Sequence, residues 1–275
     1  MGLNSVPAPN DEVIMAEVAD TDFQKADGRF EPGQPRVQVK SSAKVNPPAL
    51  FGGDKNVSSG PTVSTPLLAP SLLDAPLLTS EEKRLKLLAM NETEVSVCTK
   101  CRLCETRTRT VFGEGDVDAK IFFIGEGPGE TEDQTGRPFV GRAGELLNKM
   151  IAGMGLKREQ VFIANIVKCR PPNNRVPAPD EVATCTPYLT RQLEIIRPRA
   201  IVTLGLPATQ YMLETKLSMG RMRGQWHNWR GIKLMPTYHP AYVLRNPTVE
   251  TRAAVWSDLK LVLAELGLPV PKKNI

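Results

Sequence analysis

The segment Lys120-Ile-Phe-Phe-Ile-Gly-Glu-Gly-Pro-Gly-Glu-Thr-Glu-Asp133 decides the fold. Its first five residues form a short apolar run, which predicts a buried strand, and a glycine-rich loop follows at once. Three further runs, at 160–166, 199–204 and 232–237, have the same character. Helical segments separate them, and strands that alternate with helices predict a parallel sheet. We therefore expect a three-layer α/β/α sandwich with a central four-stranded parallel sheet.

The segments around these strands carry the end signals of helices. Thr79 or Ser80, followed by two glutamates, suits a capped first turn, and Pro179 suits the first turn of another helix. Gly155 and Gly267 are expected to stop two more helices. The predicted helices span residues 80–90, 142–154, 179–197, 207–213 and 249–266.

The sequence predicts a folded domain at 79–270, a disordered proline-rich tail at 1–78 and a short C-terminal tail at 271–275. Ten of the 24 prolines lie within residues 1–80, where no apolar periodicity is sustained. Such a segment cannot bury enough apolar surface to offset its ordering entropy. Short apolar patches in it could dock on a partner, but the sequence does not identify one.

Charge separates the same two regions. The whole chain has a net charge of +5, and residues 1–80 carry −3 of it. Residues 81–275 therefore carry +8. A basic domain suits a polyanion such as DNA, although an ordinary soluble surface explains the charge equally well. No apolar run is long enough to cross a bilayer, and no signal segment opens the chain. We therefore expect a cytoplasmic location without membrane contact.

Five cysteines mark a second kind of site. Cys98 and Cys101 form a tight pair, whereas Cys169 and Cys185 lie 15 intervening residues apart. Four thiolates can bind zinc or hold an iron–sulfur cluster, and the spacing alone favours neither. Unconnected buried cysteines are a third possibility in a reduced compartment. Cys104 is expected to be a spectator.

Polar loops follow the predicted strands at the edge where parallel sheets place their ligand sites. A phenylalanine, an amide, an imidazole and two carboxylates would converge there: Phe139, Asn165, His239, Glu126 and Glu132. This set predicts a pocket for a flat, polar heterocycle. Simpler alternatives exist, since the phenylalanine could plug the core, the histidine could bind its own loop and the glutamates could be solvated charges. The second histidine, His227, is expected in a surface turn.

Taken in order, these segments resemble the family 4 uracil-DNA glycosylases, the iron–sulfur branch of the uracil-DNA glycosylase superfamily. The similarity covers about residues 85–266. It includes Cys98-Thr-Lys-Cys-Arg-Leu103, Val111-Phe-Gly-Glu-Gly115, Lys168-Cys-Arg-Pro-Pro172 and Thr237-Tyr-His-Pro-Ala241. The resemblance implies a monofunctional enzyme that hydrolyses the N-glycosidic bond of deoxyuridine and so initiates base excision repair. Uracil-containing DNA is the implied partner, and a monomer is the expected form.

The resemblance also implies how the base is held. Phe139 would stack on uracil, as aromatic side chains do on flipped bases. The Asn165 amide, both donor and acceptor, would match uracil N3–H and O4 and reject the reversed pattern of cytosine. His239, kept neutral, would donate to uracil O2 as negative charge builds on the departing base.

Water attack is implied to depend on three polar side chains. Glu126 and Glu132 match the family's functional carboxylates, with Asn174 as a hydrogen-bonding partner of Glu126. Gly127 and Gly129 stand where other branches carry a catalytic aspartate and a bulky tyrosine. The glycines would let the backbone approach the flipped base and sugar closely.

Ala241–Arg245 resembles the superfamily's minor-groove loop. Val243 or Leu244 would fill the gap left by the extruded nucleotide, and Arg245 would contact a phosphate or the groove. A hydrophobic cap on the final helix is the alternative. The resemblance further implies one structural [4Fe–4S] cluster on Cys98, Cys101, Cys169 and Cys185.

Other functions fit the sequence less well. A non-catalytic DNA-binding module would not need the convergent pocket residues. A nucleotide-handling or polymerase-associated protein would need a Lys, Ser or Thr in P-loop register after Gly125, which the sequence lacks. A covalent uracil-trapping branch uses an inserted loop with a histidine, and none occurs between Cys169 and His227. No lysine is obviously placed for a Schiff base, so strand cleavage is not expected.

Overall fold

The computed structural model describes residues 77–271. The predicted N-terminal tail, apart from its last two residues, and residues 272–275 lie outside this range. Within it, the strands form one sheet in the order β1-β3-β2-β4-β6-β5. Their bounds are β1 Glu114–Gly115, β2 Ile121–Gly125, β3 Phe162–Asn165, β4 Ala200–Leu204, β5 His227–Trp229 and β6 Ile232–Thr237.

The four strands predicted from apolar runs form the parallel centre of this sheet. β2 lies between β3 and β4, and β6 follows β4, with every neighbouring pair parallel. All residues of β2, β3 and β4 are buried. Burial on both faces explains why these strands are continuous apolar runs and not alternating ones. The predicted α/β architecture is therefore confirmed.

Two short edge strands extend the sheet beyond the four that were predicted. β1 pairs antiparallel with β3, and β5 pairs antiparallel with β6. β1 has only two residues and β5 is partly exposed, so neither contains an apolar run. His227 belongs to β5 and its Nε2 lies 2.8 Å from the Met222 carbonyl oxygen. The prediction of a surface turn for this histidine was therefore wrong.

Helices cover both faces of the sheet. Their bounds are α1 Ser80–Met90, α2 Glu130–Thr135, α3 Arg142–Gly153, α4 Pro179–Ile196, α5 Leu206–Met212, α6 Met219–Met222, α7 Pro240–Arg245 and α8 Val249–Glu265. Alternate residues of β2 enter different cores. Phe122 and Ile124 join the core that includes α1 and α4 residues, whereas Ile121 and Phe123 join the core that includes α3 and α8 residues. The sheet is thus the middle of three layers.

Short helices occupy two segments that were predicted to be loops. α2 begins directly after Gly129 and ends at Gly136, whose φ of 74° is left-handed. Pro128 therefore lies two residues before the start of this helix. α7 begins at Pro240, and the side chain of His239 caps it. Each has only six residues, too few for an apolar period to be recognised.

No helix within residues 77–271 is both long enough and apolar enough to cross a membrane.

Candidate active site

The ends of β2 and β3 bring the predicted base-reading residues together. Gly125, the last residue of β2, is the register partner of Asn165, the last residue of β3. A β-carbon on Gly125 would collide with Asn165 Oδ1 and would lie 2.5 Å from Phe139 Cζ. The two side chains therefore meet above the space that this glycine leaves open. Sequence reasoning placed them at one edge of the sheet, and the structure does so too.

Asn165 has an unusual polar environment. The residue is only 1% exposed, and its Oδ1 has no hydrogen-bond partner among the described residues. Leaving a buried acceptor unpaired typically costs about 1–3 kcal/mol. Such an atom at a strand end, beside an aromatic ring, is a strong indication that a ligand N–H belongs there.

Phe139 is held rigidly beside this amide. Its ring is buried in the core and lies 5.6 Å, centroid to centroid, from the His239 ring. Its φ is 50°, a left-handed value that a bulky residue adopts only when its surroundings enforce it. Arg158 Nη1 donates to the Phe139 carbonyl oxygen at 3.2 Å. Phe139 is therefore both part of the core and a wall of the site.

Glu132 fixes the same loop from the other side. Its Oε1 accepts hydrogen bonds from the backbone N–H groups of Val140, at 2.9 Å, and Gly141, at 2.8 Å. A β-carbon added to Gly129 would lie only 2.7 Å from the Oε2 atom of Glu132. This glycine therefore leaves room for the carboxylate. Glu132 therefore holds the loop that follows Phe139 through two backbone hydrogen bonds. Sequence reasoning assigned this carboxylate to water attack and did not predict this structural role.

Glu126 and Asn174 lie on neighbouring loops but do not pair as predicted. Burial raises the pKa of the partly buried Glu126 carboxyl above its ordinary value. Asn174 is exposed, and its Oδ1 accepts from Arg170 Nε at 2.8 Å. Among the described residues, Asn174 makes no hydrogen bond to Glu126. A β-carbon on Gly127 would approach Val167 Cγ2 to 2.9 Å, so close packing as well as ligand access explains this glycine.

His239 has a defined protonation state. Its Nδ1 accepts from Ala241 N at 3.0 Å, which leaves the proton of the neutral ring on Nε2. Although the residue as a whole is partly exposed, its imidazole is densely surrounded by protein. Burial, and secondarily Arg245, lowers its pKa to about 4, against an opposing effect of Glu132. At neutral pH the ring is therefore a neutral N–H donor.

The segment predicted to meet DNA is helix α7. Val243 is 3% exposed and packs in the core, so its prediction as a possible wedge was wrong. Leu244 is 37% exposed and Arg245 is also exposed, as a groove-contacting pair must be. Sequence reasoning missed Tyr242, which is 39% exposed and stacks on Tyr238 with a centroid distance of 4.9 Å. Had this segment been predicted as a helix, helical spacing would have distinguished the buried Val243 from its exposed neighbours Tyr242 and Leu244.

The cysteines converge on a separate recess. All five line it, with Arg107, Lys168 and Tyr188 among the other lining residues. Three of the four predicted ligand sulfurs receive hydrogen bonds: Arg107 Nη1 to Cys169 Sγ at 3.2 Å, Lys168 N to Cys185 Sγ at 3.2 Å, and Tyr188 Oη to Cys98 Sγ at 3.5 Å. Donors of this kind are typical around metal-bound thiolates.

Burial disfavours free thiolates in this recess. It raises the pKa of Cys169 to about 12 and also raises the pKa of Cys101 and Cys185. Within residues 77–271, no three His, Cys, Asp or Glu side chains are arranged to hold a single metal ion. Four cysteine thiolates can hold either a zinc ion or an iron–sulfur cluster, so the lining of the recess suits a thiolate-bound metal group.

Comparisons with known proteins agree with this geometry. The family model of the uracil DNA glycosylase superfamily matches residues 112–260. A type-4 uracil-DNA glycosylase of Thermotoga maritima is 48% identical over 179 residues, which cover 64% of this chain and 93% of that protein. One from Saccharolobus solfataricus is 52% identical over 183 residues, covering 63% and 84%. A type-5 uracil-DNA glycosylase of Pyrobaculum aerophilum is 33% identical over 173 residues, covering 56% and 75%. This chain belongs to the uracil-DNA glycosylase superfamily and, within it, to the type-4 family, which confirms the resemblance drawn from its motifs.

Proposed function

We propose that this protein removes uracil from DNA by hydrolysing the N-glycosidic bond, without cutting the strand. The observation that carries the proposal is the buried Asn165 Oδ1, which lacks a partner among the described residues. Uracil N3–H is a donor of the required kind, whereas N3 of neutral cytosine is an acceptor and would leave the oxygen unpaired. The amide N–H of Asn165 can donate to uracil O4 at the same time.

The base is held between a fixed ring and a fixed donor. Phe139, locked at a left-handed φ, provides a stacking face for the flipped base. His239 faces the same space, with its ring 5.6 Å from that of Phe139. A planar heterocycle that reaches both residues and Asn165 is therefore constrained in its plane and in its orientation.

Bond cleavage is assisted by a neutral imidazole. As the glycosidic bond lengthens, negative charge accumulates on the departing uracil, including its O2. The Nε2–H of His239 donates a hydrogen bond to this oxygen, and this hydrogen bond becomes stronger as the charge grows. The hydrogen bond from Ala241 N to Nδ1 holds the required tautomer.

Water attack is assigned chiefly to Glu126. Its raised pKa makes this carboxylate a better proton acceptor near neutral pH than an exposed glutamate. Glu132 acts indirectly, by binding the backbone beyond Phe139, and Gly127 lets the loop approach the sugar. Asn174 could assist Glu126 only after leaving its partner Arg170.

DNA is engaged by the exposed side of α7. Leu244 fills the gap left by the extruded nucleotide, and Arg245 contacts the backbone or groove. The basic charge of residues 81–275 supports the non-specific part of binding. We propose that the protein acts as a monomer in the cytoplasm.

The recess is proposed to hold one [4Fe–4S] cluster through Cys98, Cys101, Cys169 and Cys185. When bound, the cluster cross-links the segment after α1, the segment after β3 and helix α4. No step of the reaction passes through it. Its contribution is to fix the chain that continues from Asn165, and Cys104 remains a spectator in this proposal.

The test uses purified full-length protein and matched duplex oligonucleotides with uracil, thymine or cytosine at one position. We expect alkali-dependent cleavage at uracil alone, and no cleavage before alkali because the product is an abasic site. Tight binding to the duplexes without base release would contradict the enzymatic proposal. Strand cleavage without alkali would contradict a monofunctional mechanism.

A further inference from the structure

Lys168 is a buried lysine that the proposed mechanism does not use. It is 1% exposed, and its Nζ donates to the Asn165 carbonyl oxygen at 3.1 Å and to Gln192 Oε1 at 2.6 Å. Gln192 is 0% exposed and extends this hydrogen-bond network, because its Nε2 donates to the Phe112 carbonyl oxygen at 2.9 Å. Lysine is almost never buried so completely, because desolvating its ammonium is costly.

The sheet topology explains why a lysine is useful at this position. On its outer side, β3 pairs with β1 only at Phe162 and Ile163. The carbonyl of Asn165 lies beyond the last residue of this ladder, so no β1 residue pairs with it. A buried carbonyl needs a donor, and Lys168 Nζ provides one from three residues along the chain. Lys168 thus supplies to the Asn165 carbonyl the hydrogen bond that a neighbouring edge strand would otherwise supply.

The other contacts of Lys168 reach the cysteine recess. Its backbone N–H donates to Cys185 Sγ at 3.2 Å, and its backbone oxygen accepts from Val111 N at 2.7 Å. Its chain neighbour is Cys169, another predicted ligand. One residue therefore contacts the sulfur site through its backbone and the base site through its side chain.

We propose that Lys168 is a positioning residue that transmits the geometry of the cysteine site to Asn165. It touches neither the base nor the sugar. It anchors the carbonyl of Asn165, so the amide keeps its place above Gly125 and beside Phe139. This inference rests on the proposed function, because it assigns Lys168 a role in the same site.

The decisive variant is Lys168→Met, which keeps an unbranched side chain of similar length and removes the donor. Single-turnover excision of uracil should fall about tenfold to a hundredfold, since a displacement of about 1 Å in a site can cost a hundredfold. Iron content, the cluster absorption and the affinity for uracil duplex should stay at parental values. Lys120→Met, at an exposed lysine, is the matched control and should excise at the parental rate.

A second pair of variants tests the network without altering Lys168. Gln192→Glu keeps the acceptor for Nζ and loses the donor to the Phe112 carbonyl oxygen, as Gln192→Leu also does, so it should retain more activity than Gln192→Leu and all iron. Gln192→Leu leaves Lys168 Nζ with the Asn165 carbonyl alone and should lower the excision rate while iron is retained. If Lys168→Met does not fold, this pair still decides the question.

Two results would overturn the inference. One is a folded Lys168→Met or Gln192→Leu variant that excises uracil at the rate of the active parent. The other is loss of iron in proportion to loss of activity, which would make Lys168 a support of the cluster alone. An inactive parent would instead contradict the proposed function, so the two failures are distinguishable.

Discussion

The base pocket and the cysteine recess lie at opposite ends of one short segment, Asn165–Cys169, yet they are prepared for their ligands in different ways. The pocket has its donor and acceptor set in advance: a neutral imidazole and an unpaired buried amide oxygen. The recess contains thiols whose ionisation burial opposes. In our proposal the pocket is therefore complete before its ligand arrives, whereas the recess is completed by the proposed cluster.

The largest effect is expected at the pocket amide. Asn165→Asp removes the donor to uracil O4 and adds a charge that repels it, so excision should fall about ten-thousandfold. Asn228→Asp, the same change in exposed strand β5, is the control and should have no effect on excision. Single-turnover rates on uracil duplex, with iron measured in parallel, provide the test. A variant with the parental rate would show that Asn165 does not read the base.

His239→Ala should reduce the chemical rate about a hundredfold to a thousandfold, the typical value of a donor aimed at developing charge. Duplex affinity should change little, because the donor acts mainly in the transition state. His227→Ala, the other histidine, is the control. Poor binding with a normal rate at saturation would instead make His239 a residue that positions the substrate.

The same histidine predicts how stability depends on pH. Folding lowers its pKa from 6.5 to about 4, so the folded state favours the neutral ring. Its contribution to stability is therefore fully present above about pH 6.5 and is lost as pH falls through about 4. The difference in thermal stability between parent and His239→Ala should shrink over this interval. A difference that does not depend on pH would contradict the lowered pKa of the His239 ring.

The recess should respond to a different pair of changes. Cys185→Ser should abolish the iron signal, expected near roughly 400 nm with about four irons per chain. It should slow excision roughly tenfold to a hundredfold by releasing the chain beyond Asn165. Cys104→Ser should keep both the iron and the rate. Colourless parent protein with one zinc per chain would contradict the cluster and leave the ligands in place.

The sequence predicts the parts of this molecule that follow from local chemistry. Apolar runs identify the four central strands, and the position of Asn165 at a strand end identifies it as a site residue. Helices of six residues leave no periodic signal, so α7 was missed and Val243 was placed on the wrong side. The clamp of Glu132 depends on backbone N–H groups eight and nine residues away, and the burial of Lys168 depends on where β1 ends. Neither relation is visible without the fold.

A smaller effect is expected at the DNA-facing helix. Leu244→Ala should weaken binding of uracil duplex about threefold to tenfold, because truncating a partly exposed apolar side chain at an interface is expected to cost about 0.7–1.4 kcal/mol. The rate at saturating enzyme should change less. Leu261→Ala is a closely matched control, because both leucines are 37% exposed and Leu261 lies on α8. Equal effects of the two substitutions would remove Leu244 from the DNA contact.

The smallest effect is expected at Glu132, where a pair of substitutions distinguishes a clamp from a residue that activates water. Glu132→Gln keeps a side-chain oxygen that can accept from Val140 N and Gly141 N, so the Phe139 loop should hold its shape. Excision should then stay within about threefold of the parent, because the acceptor is retained and only charge assistance is lost. Glu132→Ala removes the acceptor and should lower both the rate and thermal stability, since two partly buried N–H groups lose their partner. If the glutamine variant is instead as slow as the alanine variant while its stability is parental, the carboxylate itself takes part in the reaction. Its clamp on the Phe139 loop would then be secondary to a direct role on water.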